Sequence, residues 1–374
     1  MTLQAPRLGL SVCEASGDLL GGLLLAGLRQ RWPELSAQGM GGPRMQAQGF
    51  EAWWPNNLAF IGYVEALMHL REALSRRRQL GDRLIAGQPD VFIGIDAPDF
   101  NFGLETRLRE AGLKTVHFVC PSIWAWRPER VKTIKRAADH VLCLFPFEPA
   151  LLQAAGIAAT YVGHPLADAI PLEPPRTAAR QALGLAEGDT VIALLPGSRK
   201  SEIRYVAPAL IGAARLMARP GRRFVMPVAP GMRALLQPML GDVDIQLLDG
   251  RSHEALAACD VSLVASGTAT LEAALFKRPM VVTYKIHPLN WWRLQGRALQ
   301  PWVGLPNILA RDFVVPELLQ QQCTPEALAR EAEALLDDGP RRERIQQRFV
   351  DLHEMLRQNT AQRAADAIAQ IIGA

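Results

Sequence analysis

The stretch Val261-Ser262-Leu263-Val264-Ala265 is followed directly by Ser266-Gly267-Thr268-Ala269-Thr270-Leu271-Glu272. The first segment is a short apolar run, typical of a strand buried in a parallel sheet. The second predicts a strand-to-helix turn, where free backbone N–H groups and the helix dipole favour an anion. Glu272 lies one turn into the helix, where it suits sugar hydroxyls better than phosphate. The stretch therefore predicts a site for a nucleotide sugar.

The same alternation of strand and helix continues along the 374 residues of the chain. Between the predicted strands lie stretches that predict helices, such as Leu19–Arg31 and Tyr205–Ala218. This pattern predicts an α/β fold with doubly wound parallel sheets and right-handed crossovers. The predicted strands are Leu8–Val12, Val91–Ile95, Lys114–Val119, His140–Cys143, Thr190–Leu195, Arg223–Val228, Ile245–Leu248, Val261–Ala265 and Met280–Thr283.

The chain is longer than one hydrophobic core usually serves, so we expect two domains. A passage with Pro171, Pro174 and Pro175 separates the two sets of strands and is interpreted as a linker. We expect one domain over residues 1–168, a second over 169–345, and C-terminal helices over 346–374, with packing on the first domain as one option. Ligands bind beyond the carboxyl ends of parallel strands, so two facing domains would form a deep cleft.

Charge and cysteine content argue against nucleic-acid binding and against a zinc site. Lys and Arg total 41 against 37 Asp and Glu, a balance of +4 that is too mild to indicate nucleic acid but permits contact with an anionic surface. The five cysteines are scattered, which is typical of a reducing cytoplasm and argues against a zinc site. We interpret Asp242-Val243-Asp244 as loop acidity, so no metal is expected. No secretory signal or spanning segment is visible, so any membrane contact would be peripheral.

Two predicted turns in the first half carry polar side chains. In Cys13–Asp18, Ser16 or Asp18 caps the next helix, and the turn either serves only as a cap or also contacts a ligand. The absence of G-x-G-x-x-G argues against a dinucleotide. In Gly94–Asn101, Asp96 lies at the carboxyl end of a strand, where it can act as a general base toward an acceptor hydroxyl. The alternative is that Asp96 or Asp99 caps the following helix.

Two segments of the second half carry further candidates. In Leu195–Arg199, the glycine permits a tight turn and Ser198 and Arg199 can contact a phosphate. The alternative for Arg199 is a simple ion pair with Glu202. Asn307, in a turn after an uncharged segment, can donate to a phosphate or a carbonyl.

Aromatic and basic residues also cluster along the sequence, and aromatics beside a cationic helix can lie on anionic lipid. Ordinary packing beside a solvated helix face is the alternative. The clusters of this kind are Trp53, Trp54, Phe60, Ile61, Arg71, Arg76, Arg77, Arg78 and Arg83, and Trp291, Trp292, Arg293 and Arg297. Trp124 and Trp126 beside Arg127 instead suit an amphipathic ligand or an anionic group. The alternative there is core packing of at least one tryptophan, with Arg127 and Arg130 facing solvent.

As an ordered set covering nearly the whole chain, the motifs resemble the lipid-A-disaccharide synthase family. The residues that carry this resemblance are Glu14–Asp18, Gly42–Met45, Gly94–Asn101, Pro121–Trp126, Leu195–Arg199, Ala265–Glu272 and Leu305–Asn307.

The resemblance implies an inverting glycosyltransferase with two Rossmann-like domains, the GT-B architecture. It implies that UDP-2,3-diacylglucosamine is the donor and that 2,3-diacylglucosamine 1-phosphate (lipid X) is the acceptor. The products would be the β(1→6) tetraacyl disaccharide 1-phosphate and UDP, formed without a cofactor in lipid A biosynthesis of Gram-negative bacteria. The implied catalytic residues are Asp96 and Arg199, and the implied UDP-sugar contacts are Ser16, Ser198, Arg199, Ser266, Gly267, Thr268, Glu272 and Asn307.

The resemblance also assigns places to the two domains. The first would face the acceptor and the membrane, and the second would bind the UDP-sugar. The protein would be cytoplasmic and peripherally associated with the inner membrane, and the sequence is compatible with a homodimer. Two alternatives remain at this point: another enzyme of the same architecture, such as a UDP-N-acetylglucosamine 2-epimerase or the peptidoglycan N-acetylglucosaminyltransferase, and a non-catalytic peripheral membrane protein that binds nucleotide sugars.

Overall fold

The computed structural model describes residues 5–54, 63–125, 127–288, 291–292 and 299–373. The chain forms two compact units, each built on its own parallel sheet. Unit 1 comprises Met1–Asp168 and Leu356–Ala374, and unit 2 comprises Ala169–Met355. The second division thus falls later than the boundary expected after residue 345. Phe60, Ile61, Trp126, Arg293 and Arg297, named above in possible membrane or ligand contacts, lie outside the described residues.

The sheet of unit 1 has seven strands in the order β3-β2-β1-β4-β5-β6-β7, and every pairing is parallel. The central strand β4 is buried at every residue, which explains its continuous apolar sequence. The strands are β1 (Arg7–Ser11), β2 (Ser36–Met40), β3 (Glu51–Trp54), β4 (Val91–Ile95), β5 (Thr115–Phe118), β6 (His140–Cys143) and β7 (Ala159–Tyr161).

The sheet of unit 2 has six parallel strands in the order β10-β9-β8-β11-β12-β13. Its central strand β11 is also buried throughout. The strands are β8 (Thr190–Leu195), β9 (Arg222–Val228), β10 (Ile245–Asp249), β11 (Val261–Ala265), β12 (Met280–Tyr284) and β13 (Glu317–Leu319). The predicted α/β class with doubly wound parallel sheets is confirmed.

Helices alternate with the strands in both units. Unit 1 has α1 (Ala15–Arg31), α2 (Pro43–Gln46), α3 (Tyr63–Gly87), α4 (Pro98–Glu110), α5 (Val131–Ala137), α6 (Glu148–Ala154) and α7 (Pro165–Ala169), the last ending at the division. Unit 2 has α8 (Arg176–Leu183), α9 (Lys200–Met217), α10 (Arg233–Leu236), α11 (Ser252–Ala258), α12 (Thr268–Leu275), α13 (Leu305–Ala310), α14 (Pro325–Asp337) and α15 (Gly339–Leu356). The last helix is α16 (Thr360–Ile372), and short 3-10 turns cover Pro128–Arg130, Gln237–Met239 and Gln320–Gln322.

The C-terminal helix α16 packs in unit 1, against α1. Asp168 accepts hydrogen bonds from the backbone N–H groups of Asn359 (3.0 Å) and Thr360 (2.6 Å), which fixes the start of α16. Arg31 of α1 pairs with Asp366 of α16. Among the described residues, no helix combines the length and the apolar character that crossing a membrane requires.

Both sheets contain a point at which the strand order reverses. In unit 1 it lies between β1 and β4, and in unit 2 between β8 and β11. Ligands of doubly wound sheets bind beyond the carboxyl ends of the strands at this point. Ser16 and Asp96 follow β1 and β4, while Ser198 and Ser266 follow β8 and β11. The fold therefore places the sequence candidates at the expected ligand-binding edge of each sheet.

Candidate active site

In unit 2, the carboxylate of Glu202 closes the turn after β8. Its Oε2 atom accepts hydrogen bonds from the backbone N–H groups of Ser198 (2.9 Å) and Arg199 (3.1 Å), and its Oε1 atom lies 3.4 Å from Arg199 Nη1. A Cβ at Gly197 would lie 2.4 Å from Oε2, so glycine is needed there. The Arg199–Glu202 ion pair is thus present. The Arg199 side chain is nevertheless 65% exposed, so it remains accessible to a ligand.

The neighbouring turn after β11 presents backbone donors. Gly267 and Thr268 are exposed, and their backbone N–H groups have no acceptor within the part of the chain that the structure describes. The Ser266 hydroxyl is already engaged, because it donates to the Val303 carbonyl at 2.9 Å. Thr270 Oγ1 likewise donates to the Gly267 carbonyl at 2.8 Å. The turn is therefore held by its hydroxyl groups and offers its N–H groups at a helix N-terminus, where an anion is favoured.

Glu272 lies one turn into α12 with its side chain 18% exposed. Its Oε2 atom lies 3.4 Å from Nε2 of His253, at the start of α11. The His253 ring is tilted against Phe276 at a centroid distance of 5.2 Å. In the part of the chain that the structure describes, His253 is the one side chain that contacts this carboxylate, which leaves it lone pairs to accept from hydroxyl groups.

Asn307 does not fit the expected contact with a phosphate. It is fully buried, and its Nδ2 group donates to the Val315 carbonyl and to Glu317 Oε1, both at 2.9 Å. Its Oδ1 atom accepts from the backbone N–H groups of Val314 and Val315 at 2.9 Å. Since an amide has two donors and two good acceptor positions, nothing remains for a ligand. The reason is local: the side chain braces the segment before β13.

The brace continues from Asn307 to the turn after β11. Glu317 accepts hydrogen bonds from the backbone N–H groups of Val303 and Gly304, both at 2.9 Å. Burial raises the pKa of the Glu317 carboxyl, and the hydrogen bonds from Val303, Gly304 and Asn307 oppose that effect. The carbonyl of Val303 accepts from Ser266. Asn307 thus supports the turn after β11 from inside the unit.

In unit 1, Asp96 occupies a strained turn at the end of β4. Asp96 has φ of 51° and Ala97 has φ of 44°, so two consecutive residues with side chains are left-handed. Such backbone conformations cost free energy and persist only where neighbouring groups enforce them. Asn101 supplies that support, since its Nδ2 group donates to the carbonyls of Asp96 (2.8 Å) and Ile95 (3.2 Å).

A cluster of fully buried polar side chains surrounds Gly94 of β4, beneath this turn. Glu105 Oε1 and His117 Nδ1 lie 2.7 Å apart, and a Cβ at Gly94 would lie 2.0 Å from Glu105 Oε1. Ser11 and His117 are the cross-strand neighbours of Gly94, and Asn101 packs against it. Sequence reasoning missed this cluster. The available signal was the polar residue inside the apolar run Val116-His117-Phe118.

The capping alternatives for the turns of unit 1 are wrong. Helix α1 begins at Ala15 without a side-chain cap, and Ser16 is exposed. Asp18 instead accepts from the backbone N–H groups of Gly42 and Arg44 at 3.0 Å, at the start of α2. Neither Asp96 nor Asp99 caps α4, and Asp99 pairs with Arg130. Ser16 and Asp96 are therefore not explained by capping.

A sequence model of the family described as Lipid-A-disaccharide synthetase matches residues 8–372. The chain belongs to the lipid-A-disaccharide synthase family. It is 55% identical to the lipid-A-disaccharide synthase of Verminephrobacter eiseniae (strain EF01-2), with 99% of this chain and 98% of the relative covered. Identity to that of Burkholderia pseudomallei (strain K96243) is also 55%, with 98% and 96% covered. The resemblance inferred from the motifs is confirmed, and this lipid-A-disaccharide synthase family member is a UDP-sugar-dependent glycosyltransferase.

Solved structures show how widely the fold of this lipid-A-disaccharide synthase family member is shared. The UDP-GlcNAc 2-epimerase from Neisseria meningitidis, bound to UDP-GlcNAc, matches with a TM-score of 0.68 at 12% identity, covering 97% of this chain and 99% of that one. The calicheamicin glycosyltransferase CalG4 matches with a TM-score of 0.63 at 15% identity, covering 99% of both. At these identities the likeness concerns the fold alone, which confirms the GT-B class.

Proposed function

We propose that the enzyme transfers 2,3-diacylglucosamine from UDP to 2,3-diacylglucosamine 1-phosphate (lipid X). The products are the β(1→6) tetraacyl disaccharide 1-phosphate and UDP. The observation that carries the donor half is the pair of unengaged N–H groups of Gly267 and Thr268 at the reversal point of unit 2. The family membership carries the reaction class.

Unit 2 would bind the UDP part of the donor. The turns after β8 and β11 follow hydrogen-bonded neighbouring strands, so Arg199 and the N–H groups of Gly267 and Thr268 lie at one edge of the sheet. These fixed donors would stabilise the negative charge that develops on UDP as the bond to the anomeric carbon breaks. Glu272 would accept from the ribose hydroxyls, and the exposed Ser198 hydroxyl would add a polar contact.

Unit 1 would supply the base. The acceptor's 6-hydroxyl oxygen attacks the anomeric carbon, the bond from that carbon to UDP breaks, and the hydroxyl proton passes to the Asp96 carboxylate. A single in-line displacement inverts the anomeric centre. Asp96 lies beyond the carboxyl end of β4 on a backbone that Asn101 fixes, as a positioned base requires. Exposed Ser16, across the same reversal point, would contact substrate.

The reaction can be tested with UDP-2,3-diacylglucosamine and lipid X in buffer without added divalent metal, following disaccharide formation. Replacing Asp96 with Asn keeps the shape and removes the base, so we expect a loss of kcat of at least about 100-fold, the usual contribution of general base catalysis. Asp99→Asn is the control, since this neighbouring carboxylate pairs with Arg130. No product with the unaltered enzyme would overturn the function; full activity of Asp96→Asn would overturn only the base.

We also propose that unit 1 associates peripherally with the cytoplasmic face of the inner membrane, where both acylated substrates would lie. Of the basic residues expected to contribute, Arg83 lies over the Trp53 ring at 3.9 Å and Arg76 pairs with Glu72. Arg71, Arg77 and Arg78 have no ion-pair partner among the described residues and would face the anionic lipid. Binding to anionic vesicles that weakens with salt supports this proposal.

A further inference from the structure

Unit 1 contains a pocket between helices α3 and α4 that the proposed chemistry does not use. Its volume is about 340 Å³. We call it the arginine pocket, and its lining residues are Leu74, Arg77, Arg78, Gly103, Leu104 and Arg107.

Two helix glycines make room for the guanidinium groups of this pocket. A Cβ at Gly103 of α4 would lie 2.5 Å from Nη1 of Arg77 on α3. Reciprocally, a Cβ at Gly81 of α3 would lie 2.7 Å from Nη1 of Arg107 on α4. Glycine inside a helix costs about 1 kcal/mol relative to alanine. In each helix, a glycine of low helix propensity therefore lies where an arginine of the other helix packs.

The charges of the pocket are only partly balanced. Arg107 is anchored, because its Nη1 group donates to the Arg78 carbonyl at 2.9 Å and its Nη2 group pairs with Asp82. The guanidinium groups of Arg77 and Arg78 have no acceptor in the described part of the chain. Three arginines thus line the pocket, and Asp82 is the carboxylate that pairs with one of them. Such a net positive concavity with planar donors matches a phosphate group.

The rim of the pocket indicates which kind of molecule the phosphate group belongs to. Leu74 is 44% exposed although it is a large apolar side chain, and it lies beside the guanidinium groups on the same helix. An apolar surface next to a cationic pocket suits an amphipathic ligand better than a free ion. We propose that the arginine pocket binds the phosphate group of a lipid headgroup. This inference rests on the proposed membrane association and gives it one specific contact.

The test compares two vesicle surfaces with matched negative charge. One contains phosphatidic acid in phosphatidylcholine, and the other contains cholesteryl hemisuccinate, a carboxylate, in phosphatidylcholine. The variants are Arg77→Gln and Gly103→Ala. The added methyl of Gly103→Ala meets only the end of the Arg77 side chain and improves helix propensity, so the fold should be kept while the guanidinium is displaced. Arg71→Gln removes the same charge from the same helix outside the pocket and is the control.

We expect both pocket variants to weaken binding to the phosphatidic acid vesicles about fivefold, the factor for losing one basic contact at a lipid surface. On the carboxylate vesicles, Arg77→Gln should weaken binding no more than Arg71→Gln, and Gly103→Ala should have no effect. Thermal unfolding checks that the variants are folded.

Other outcomes overturn the proposal in distinguishable ways. If Arg77→Gln and Arg71→Gln weaken binding equally on both surfaces and Gly103→Ala does nothing, association is purely electrostatic and the pocket is not a site. If inorganic phosphate protects the enzyme from thermal unfolding but neither surface is preferred, the pocket binds free phosphate. If the unaltered enzyme binds neither surface, the membrane association itself fails, and the arginine pocket with it.

Discussion

At the residue scale, Asn101 holds the backbone that carries the proposed base. Its Nδ2 group reaches the carbonyls of Asp96 and Ile95, and also that of Ser11 at 3.4 Å, at the ends of two neighbouring strands. We expect Asn101→Leu, which keeps the branched shape and removes the donors, to release the left-handed turn and to lower kcat about 100-fold, since a displacement of about 1 Å can have that effect.

The KM for the UDP donor should stay unchanged in Asn101→Leu, because the donor is proposed to bind unit 2. Steady-state kinetics with both substrates checks this. The control is Thr106→Val on the same helix, which loses only the bond from its hydroxyl to the Phe102 carbonyl at 2.7 Å. Equal losses of kcat in the two variants would mean that Asn101 supports folding of α4 and not the position of Asp96.

Glu148 gives a second residue-scale prediction, for the pH dependence of stability. The side chain is buried and accepts from Trp124 Nε1 and the Phe145 N–H, both at 3.0 Å. Burial raises its pKa from 4.5 to about 8, so the folded protein keeps the proton that the unfolded chain releases. The unfolding free energy should therefore fall as the pH rises from about 4.5 to about 8, by up to about 1.4 kcal/mol per pH unit.

Urea unfolding between pH 6.5 and 8 isolates this effect. Burial lowers the pKa of His164 from 6.5 to about 3, so that group removes stability only as the pH falls below about 6.5. Glu148→Gln should flatten the slope in the measured window. Glu110→Gln, at an exposed carboxylate, controls for the loss of one acidic side chain. An unchanged slope in Glu148→Gln would contradict the assignment.

At the scale of elements, the sequence predicted the central strands of both sheets, β1 and β4 in unit 1 and β8 and β11 in unit 2. Each predicted strand is present within one residue of its predicted bounds. Burial on both faces produces continuous apolar runs such as Val91–Ile95, and these are readable without tertiary information. The strands β2, β3, β7 and β13 were missed because they are short or contain polar residues, as in Ser36–Met40 and Glu317–Leu319.

Of the candidate site, the sequence predicted the positions of the turns but not the contacts of every side chain. The turns that follow central strands were found, because a parallel sheet places them at one edge whatever the details of packing. What Asn307 binds could not be found, since a side chain that braces its own turn has the same sequence signature as one that contacts a ligand. The Gly94 cluster depends on contacts between α4 and β5, which no local pattern shows.

The hydrogen bonds of Asn307 between α13 and the segment before β13 lead to a prediction. It distinguishes a structural role of Asn307 from contact with a ligand. Asn307→Leu leaves the backbone N–H groups of Val314 and Val315 without acceptors, so we expect urea unfolding to show a loss of about 2–6 kcal/mol, from about 1–3 for each unsatisfied group. UDP binding, measured by calorimetry under folding conditions, should weaken only modestly. Large loss of UDP affinity with unchanged stability would instead restore Asn307 as a ligand contact.

At the scale of the whole molecule, the chain leaves unit 1 after Asp168 and its last segment, from Leu356, belongs to unit 1 again. Unit 1 therefore depends on residues from both ends of the sequence. The sequence alone left this packing of the C-terminal helices open, because α16 has the same apolar face whichever partner buries it. The feature that allows α16 to pack closely against α1 is a small residue on α1.

Gly27 of α1 is that residue, and it supports the last prediction. A Cβ at Gly27 would lie 1.8 Å from Cβ and 3.1 Å from Cα of Ala361, so an added methyl meets backbone and not a flexible side-chain end. In an isolated helix Gly27→Ala would stabilise by about 1 kcal/mol. In unit 1 we expect the opposite sign, with α16 forced away from α1 and faster hydrogen exchange of its amides. Gly87→Ala, at the end of α3 with only Gln38 at 3.8 Å, is the control and should be neutral or stabilising. Slower exchange along α16 in Gly27→Ala would show that the helix does not pack against α1 in solution.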